Sequence, residues 1–219
     1  MTDEQDKLIF LDNCLDDDFC TDRHFALLKA LSHDADPYIR SQVACAAVNF
    51  VCEGAKELLL QLADDDDALV RAEACDSLSC FPCDEVEAFL RDAPVEEYDP
   101  LARSYAILSW ANVRSALCLP ADDGLATARK WQQREKNAPC RLSLCYARHR
   151  FGDETAWQDM LAFLQHEDYH LRCAALSLLG EIEDTPHQEA IEAAVSEMLS
   201  KESTKAVLST AERIFPHLC

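Results

Sequence analysis

A five-residue pattern recurs along this chain and constrains its fold more than any other feature. It reads Asp, two variable residues, an apolar residue, then Arg. The copies are Asp36-Pro37-Tyr38-Ile39-Arg40, Asp67-Ala68-Leu69-Val70-Arg71, Asp99-Pro100-Leu101-Ala102-Arg103 and Asp168-Tyr169-His170-Leu171-Arg172. Asn137-Ala138-Pro139-Cys140-Arg141 is a weaker copy, and Lys201-Glu202-Ser203-Thr204-Lys205 is a degenerate last one. The basic residues at 40, 71, 103, 141, 172 and 205 are spaced by 31, 32, 38, 31 and 33. A fixed period of this length marks a repeat architecture.

The pattern has a physical meaning. Asp is a preferred helix N-cap, because its carboxylate accepts the orphan N–H groups of the first turn. Pro37 and Pro100 then fall at the first helical position, where a missing N–H does no harm. Apolar residues follow at helical spacing, as in Val43, Ala46, Ala47 and Phe50, or Ala174, Ala175, Leu178 and Leu179. An earlier helix precedes each of these, near 22–33, 54–64, 84–92, 121–136, 153–166 and 186–200. The unit is helix A, tight turn, helix B, six times over. A further helix near 3–15 caps the first repeat, since an open solenoid end exposes its core. The long step from 103 to 141 places an extended turn or displaced helix within 113–137.

This Asp-x-x-apolar-Arg start to helix B, at this period, resembles the HEAT repeats, in particular the short bacterial type found in phycobilisome lyase proteins. The resemblance covers about residues 22–217. It implies an all-α fold, a right-handed α-solenoid (α-α superhelix) of about six HEAT-like hairpins in one domain over 1–219. The expected boundaries are a cap over 1–21 and repeats over 22–53, 54–82, 83–118, 119–152, 153–184 and 185–219. It also implies a ladder in which the Asp and Arg of neighbouring repeats pair, using Asp36, Arg40, Asp67, Arg71, Asp99, Arg103, Arg141, Asp168 and Arg172. The last copy departs from the pattern, with Lys201 in the Asp position and Lys205 in the Arg position.

The net charge is −21, and it is uneven: −17 over residues 1–110 and −4 over 111–219. Such a surface repels phosphate backbones and anionic lipid heads and attracts basic proteins. No nucleic acid and no membrane is therefore expected as partner. No positively charged start followed by an apolar stretch is present, so no signal peptide is expected, and no run is long enough to span a bilayer. With 12 cysteines and a workable core, free thiols in a reducing cytoplasm are the expectation.

Several constellations invite a chemical reading. Cys80-Phe81-Pro82-Cys83 is a C-x-x-C, but no second pair supplies the other ligands of a zinc site, and the motif ends a helix B. The acidic runs Asp16–Asp18 and Asp64–Asp67 lack the spaced oxygens, central Gly and distal Glu of a calcium loop; the second ends on a cap residue. The seven His do not cluster, and with 4 Gly there is no phosphate loop. No catalytic residue, metal or cofactor is expected. The basic stretch Arg129, Lys130, Arg134, Lys136, Arg141, Arg148 and Arg150 invites an anion or nucleic-acid reading, but the rest of the chain repels DNA; the other readings are internal charge balance or plain solvation, an acidic partner, or a second copy.

In solenoids of this kind the B helices line the concave, binding side. Positions two before each Arg, and one, five and nine after it, turn away from the core by helical geometry. The candidates are Tyr38, Asn49, Asp76, Asn112, Tyr146, Arg150, His170 and Glu181, because Tyr and Arg favour hot spots and acids steer encounter. The leading functional reading is a non-catalytic scaffold for a protein partner, basic or of mixed charge, for instance in the manner of an immunity or antitoxin protein. The alternatives are an enzyme or enzyme accessory, such as a chromophore lyase-like or DNA glycosylase-like protein, and a module that self-associates through Arg129–Arg150.

Overall fold

Each Asp of the repeated pattern starts a helix by accepting backbone N–H groups of the first turn. Asp36 accepts from Tyr38 at 2.9 Å, Asp67 from Leu69 at 2.9 Å, Asp99 from Leu101 at 2.8 Å and Asp168 from His170 at 2.9 Å. The structure, a computed structural model, describes residues 4–15, 21–50, 52–182 and 185–219, and every element among them is helical. The acidic run Asp16–Asp18 lies outside the described residues.

The helices form two compact units, residues 1–120 and 121–219. In the first, α1 (Glu4–Asn13) precedes the hairpins α2 (Asp22–Leu31) with α3 (Pro37–Ala47), α4 (Glu53–Leu62) with α5 (Ala68–Leu78), and α6 (Asp84–Glu96) with α7 (Pro100–Ala116). The second contains α8 (Ala121–Gln132) with α9 (Ala138–Arg150). Next comes α10 (Ala156–Leu161), extended by a 3-10 turn over Ala162–Gln165, with α11 (Tyr169–Gly180). Last is α12 (Thr185–Leu199) with α13 (Lys205–Ile214). Each unit is thus a stack of helical hairpins, the α-solenoid architecture.

In the first unit the B helices α3, α5 and α7 pack side by side, with α2, α4 and α6 behind them. Close approach depends on small residues: Ala44, Ala46, Ala47, Ala72, Ala74, Ala106 and Ala111 are all buried. Between the layers lie Ile39, Val43, Leu58, Leu59, Val70, Leu78, Leu90 and Ile107, each Leu or Ile stabilising the fold by about 1.5–3 kcal/mol on burial. The second unit repeats the scheme around Leu142, Leu144, Met160, Leu176 and Val195. The long step from 103 to 141 is accounted for by α7, which has 17 residues against 11 in α3 and α5. The helix runs on and then reverses at Cys118, a non-glycine residue at φ 52. There the Leu119 N–H reaches back to the Arg114 carbonyl. An extended helix, not an extended turn, absorbs the extra residues.

The expected ladder needs a correction. The cap residues Asp36, Asp67, Asp99 and Asp168 hold their own helix N-termini and make no described hydrogen bond to an Arg of the pattern. The acid that pairs is two residues earlier. Arg40 grips Asp65 through two bonds of 2.7 Å. Arg71 grips Glu97 at 2.6 and 2.9 Å. Arg172 grips Glu202 at 2.7 and 3.3 Å. Lys7 of α1 pairs with Asp34 in the same way. Each of these acids also accepts the N–H of the following cap residue, at 3.0, 2.9, 2.7 and 2.7 Å for Asp34, Asp65, Glu97 and Glu202. The physical reason is geometric: a cap carboxylate is already turned towards its own helix, whereas the preceding turn faces the neighbour. Arg40, Arg71, Arg103 and Arg172 each also donate to two carbonyls of the turn before them, as Arg103 does to Glu97 and Tyr98.

The three Arg rungs are two-pronged, partly buried and charge-assisted, the strong form of an ion pair. Lys7 holds the Asp34 carboxyl below its usual value, and Arg71 does the same for Glu97. Burial is the largest single influence on Asp65 and Glu202 and acts to raise them, but the Arg partner and the backbone N–H bonds together outweigh it, leaving Asp65 lowered and Glu202 at about 2. A carboxylate lowered in the folded state adds stability above its ordinary value and loses it as pH falls through the folded value. The melting temperature is therefore expected to be level above about pH 5 and to fall steadily from there towards pH 2. A melting temperature unchanged down to about pH 3 contradicts the rungs.

Candidate functional site

The B helices of the first unit expose one side of their layer, and its residues follow the repeat register. Two residues before the Arg stand Tyr38, Leu69 and Leu101, exposed at 50%, 40% and 44%. Three large apolar side chains in equivalent, solvent-facing positions form a recurring feature. One residue after the Arg the expectation fails: Ser41, Ala72, Ser104 and Leu142 are all buried. Two of those serines bond back to the previous turn, Ser41 to Tyr38 and Ser104 to Leu101. The half-exposed position is two after the Arg, occupied by Gln42, Glu73 and Tyr105.

Around the centre of this side the electrostatics are unusual. Burial, and then the charge of Asp76, raise the Glu73 carboxyl above its ordinary value. Burial raises the Tyr105 hydroxyl and the Cys45 thiol, and the charges of Glu73 and Asp76 push both further. Among the described residues Glu73 has no cationic partner. Glu73 and Asp76 thus make a negative centre flanked by Tyr105 and by exposed Leu69. A cation placed there favours the charged form of Glu73 and offsets the cost of its burial.

Of the residues singled out from sequence, Tyr38 and Asp76 lie exposed on this side, and Asn112 is half-buried on α7. Asn49 has a structural bond, its amide donating to the Cys14 carbonyl at 3.0 Å. In the second unit Tyr146, Arg150 and Glu181 come together. Tyr146 is buried and donates its hydroxyl to Glu181 at 2.6 Å, and the Arg150 guanidinium stands 6.0 Å from the Tyr146 ring centre. His170 is at the other end of α11, its ring 3.0 Å from the Asp168 carboxylate. Glu73, Tyr105, Leu69 and Leu101 were missed. For Leu69 and Leu101 the signal was present, since they occupy the register that selected Tyr38.

Cys80 is exposed at the end of α5, and Cys83 is half-buried at the start of α6 without a capping bond. Among the described residues the cysteines are free thiols, and no group of three or more His, Cys, Asp or Glu is placed to hold a metal ion. No described helix is long and apolar enough to cross a membrane. The family model of HEAT repeats matches residues 26–111, which contain α3, α4, α5 and α6 and most of α2 and α7. No curated protein matches the chain.

Proposed function

Because residues 26–111 carry HEAT repeats, a scaffold for protein–protein contacts, we propose that the chain is a non-catalytic scaffold that binds a basic or mixed-charge protein along the exposed side of α3, α5 and α7. One observation carries the reading. Among the described residues the half-buried Glu73, beside Asp76, has no cationic partner, and exposed apolar side chains border it. Such a surface fits a segment that presents Lys or Arg next to apolar residues. The apolar row supplies contact area and the acids supply steering and register. The concentration of acidic charge in residues 1–110 favours encounter with a cation. Neutralising a cationic protein, as an immunity or antitoxin protein does, is the concrete form of this role. The free thiols suit a cytoplasmic setting.

The test is recovery of partners from the native host with the intact chain and with Leu69→Asp, Glu73→Lys and Asp76→Lys variants. All three positions face solvent at least in part, so the fold is expected to change by less than about 1 kcal/mol. The intact chain should retain basic proteins, and the Glu73→Lys/Asp76→Lys variant should lose them, with affinity down at least about tenfold, or 1.4 kcal/mol. Recovery of only anionic proteins, or equal recovery by every variant, sinks the proposal.

A further inference from the structure

The second unit carries a surface of the opposite sign. The turn between helices A and B is acidic in four of the other hairpins, with Asp34 and Asp36, Asp64–Asp67, Glu96 and Glu97, and Glu167 and Asp168, and in the last Glu202 stands beside Lys201. The α8–α9 turn reads Arg134-Glu135-Lys136-Asn137 instead. Its one acid, Glu135, accepts the Lys136 and Asn137 N–H groups at 2.8 Å each. Two basic residues of the wider stretch are neutralised within the unit. Arg129 pairs with Asp153, and Arg148 pairs with Asp153 and Asp159. Lys130, Arg134, Lys136 and Arg141 are all exposed, and among the described residues none has an acidic partner.

Arg141 explains how this patch arises. It holds the ladder position, yet among the described residues it makes neither the rung nor the turn bonds that Arg40, Arg71 and Arg172 make. The acceptor place, two residues before the next cap, is His166, not Asp or Glu. The His166 Nδ1 still accepts the Asp168 N–H at 3.0 Å, so the turn forms, but the ring offers an Arg no carboxylate. One side chain change therefore releases a structural Arg to the surface. The dipole of α8 accounts for Lys130, in its last turn, but no helix dipole accounts for Lys136 and Arg141. These two lie before or within the first turn of α9, where the helix dipole disfavours positive charge.

We infer that Lys130, Arg134, Lys136 and Arg141 form a docking surface for an acidic segment of another protein. Charge complementarity selects the occupant. A nucleic acid is a long, dense polyanion and must run on beyond four cations over a chain of net charge −21. A segment with a few carboxylates fits within the patch, and screening confines its charge to about 10 Å. The inference uses residues of the second unit alone and does not depend on the face proposed for the first.

The intact chain is titrated against a labelled Glu-rich peptide, and against a single-stranded oligonucleotide of equal charge, at about 50 mM salt. The peptide should bind, and Arg134→Glu/Lys136→Glu should weaken it about tenfold or more. The discriminating variant is His166→Glu, which leaves the four cations in place. It supplies both the cap bond and the missing rung, so it should draw Arg141 in, raise the melting temperature and weaken the peptide severalfold. Unchanged peptide binding in Arg134→Glu/Lys136→Glu overturns the inference, as does tighter binding of the oligonucleotide. Light scattering gives a third arm: a dimer that dissolves in Arg134→Glu/Lys136→Glu assigns the acid to a second copy and overturns it too.

Discussion

Replacing Glu87 with alanine is expected to lower the stability of the first unit by about 3–5 kcal/mol, the usual consequence of stranding one half of a buried ion pair. Glu87 of α6 is 6% exposed, and Arg114 of α7 is 8% exposed. One carboxylate oxygen accepts both the Arg114 Nη1–H at 2.8 Å and the Trp110 indole N–H at 3.1 Å. Arg114 in turn donates to the Pro120 carbonyl at 2.9 Å and lies 5.6 Å from the centre of the fully buried Trp110 ring. Loss of the carboxylate thus removes both the anionic partner of a buried guanidinium and the acceptor of the indole N–H. Glu87→Gln keeps the volume and an acceptor but not the charge, and should cost about 1–3 kcal/mol. Replacing both partners, as Glu87→Met with Arg114→Met, should recover most of the loss, because no charge is then left buried. Trp110 is the one tryptophan of the first unit, the others being Trp131 and Trp157. Its fluorescence therefore reports unfolding of that unit during denaturant titration. A Glu87→Ala midpoint within about 1 kcal/mol of the parent excludes this account.

Nothing in the sequence pointed to Glu87. It is an acid within an acidic chain, and its partners are 23 and 27 residues away. By contrast, the helix starts were legible because capping is local: Asp36, Asp67, Asp99 and Asp168 each act on a residue two positions along. The expected A helices near 22–33 and 54–64 correspond to Asp22–Leu31 and Glu53–Leu62 for the same reason. What the pattern could not say was which acid faces the neighbouring repeat. Asp65, Glu97 and Glu202 fall at one register position, but their role rests on a contact across 25 to 30 residues. The candidate face was legible in half. The register that found Tyr38 also contains Leu69 and Leu101, which read as core residues until their exposure is known. Glu73 and Tyr105 needed the true outward position, two after the Arg and not one, a difference of about 100° around a helix.

The second large loss is expected in the other unit, where Asp153→Ala should remove about 2–4 kcal/mol. Helix α9 ends in a left-handed turn at Gly152, φ +85, whose N–H bonds the His149 carbonyl while the Asp153 N–H reaches back to Arg148. This closure, the Schellman arrangement, places the Asp153 carboxylate beside the Arg148 side chain. It takes two bonds from Arg148, at 3.0 and 2.8 Å, one from Arg129 at 3.0 Å, and the Thr155 hydroxyl at 2.8 Å. Burial acts to raise this carboxyl, but Arg148, Thr155 and Arg129 together hold it well below the ordinary range. Alanine keeps the backbone closure but leaves Arg148 with Asp159 and Gln132 alone, and Thr155 loses its acceptor. Arg129, 56% exposed at its side chain, is then unpaired. The substitution should therefore weaken the unit and add positive charge to the α8–α9 region. Two measurements separate these effects: thermal melting falls, whereas affinity for a Glu-rich peptide rises at temperatures where the variant is still folded. A variant that melts like the parent means that Asp153 is not the tie that joins α8, α9 and α10.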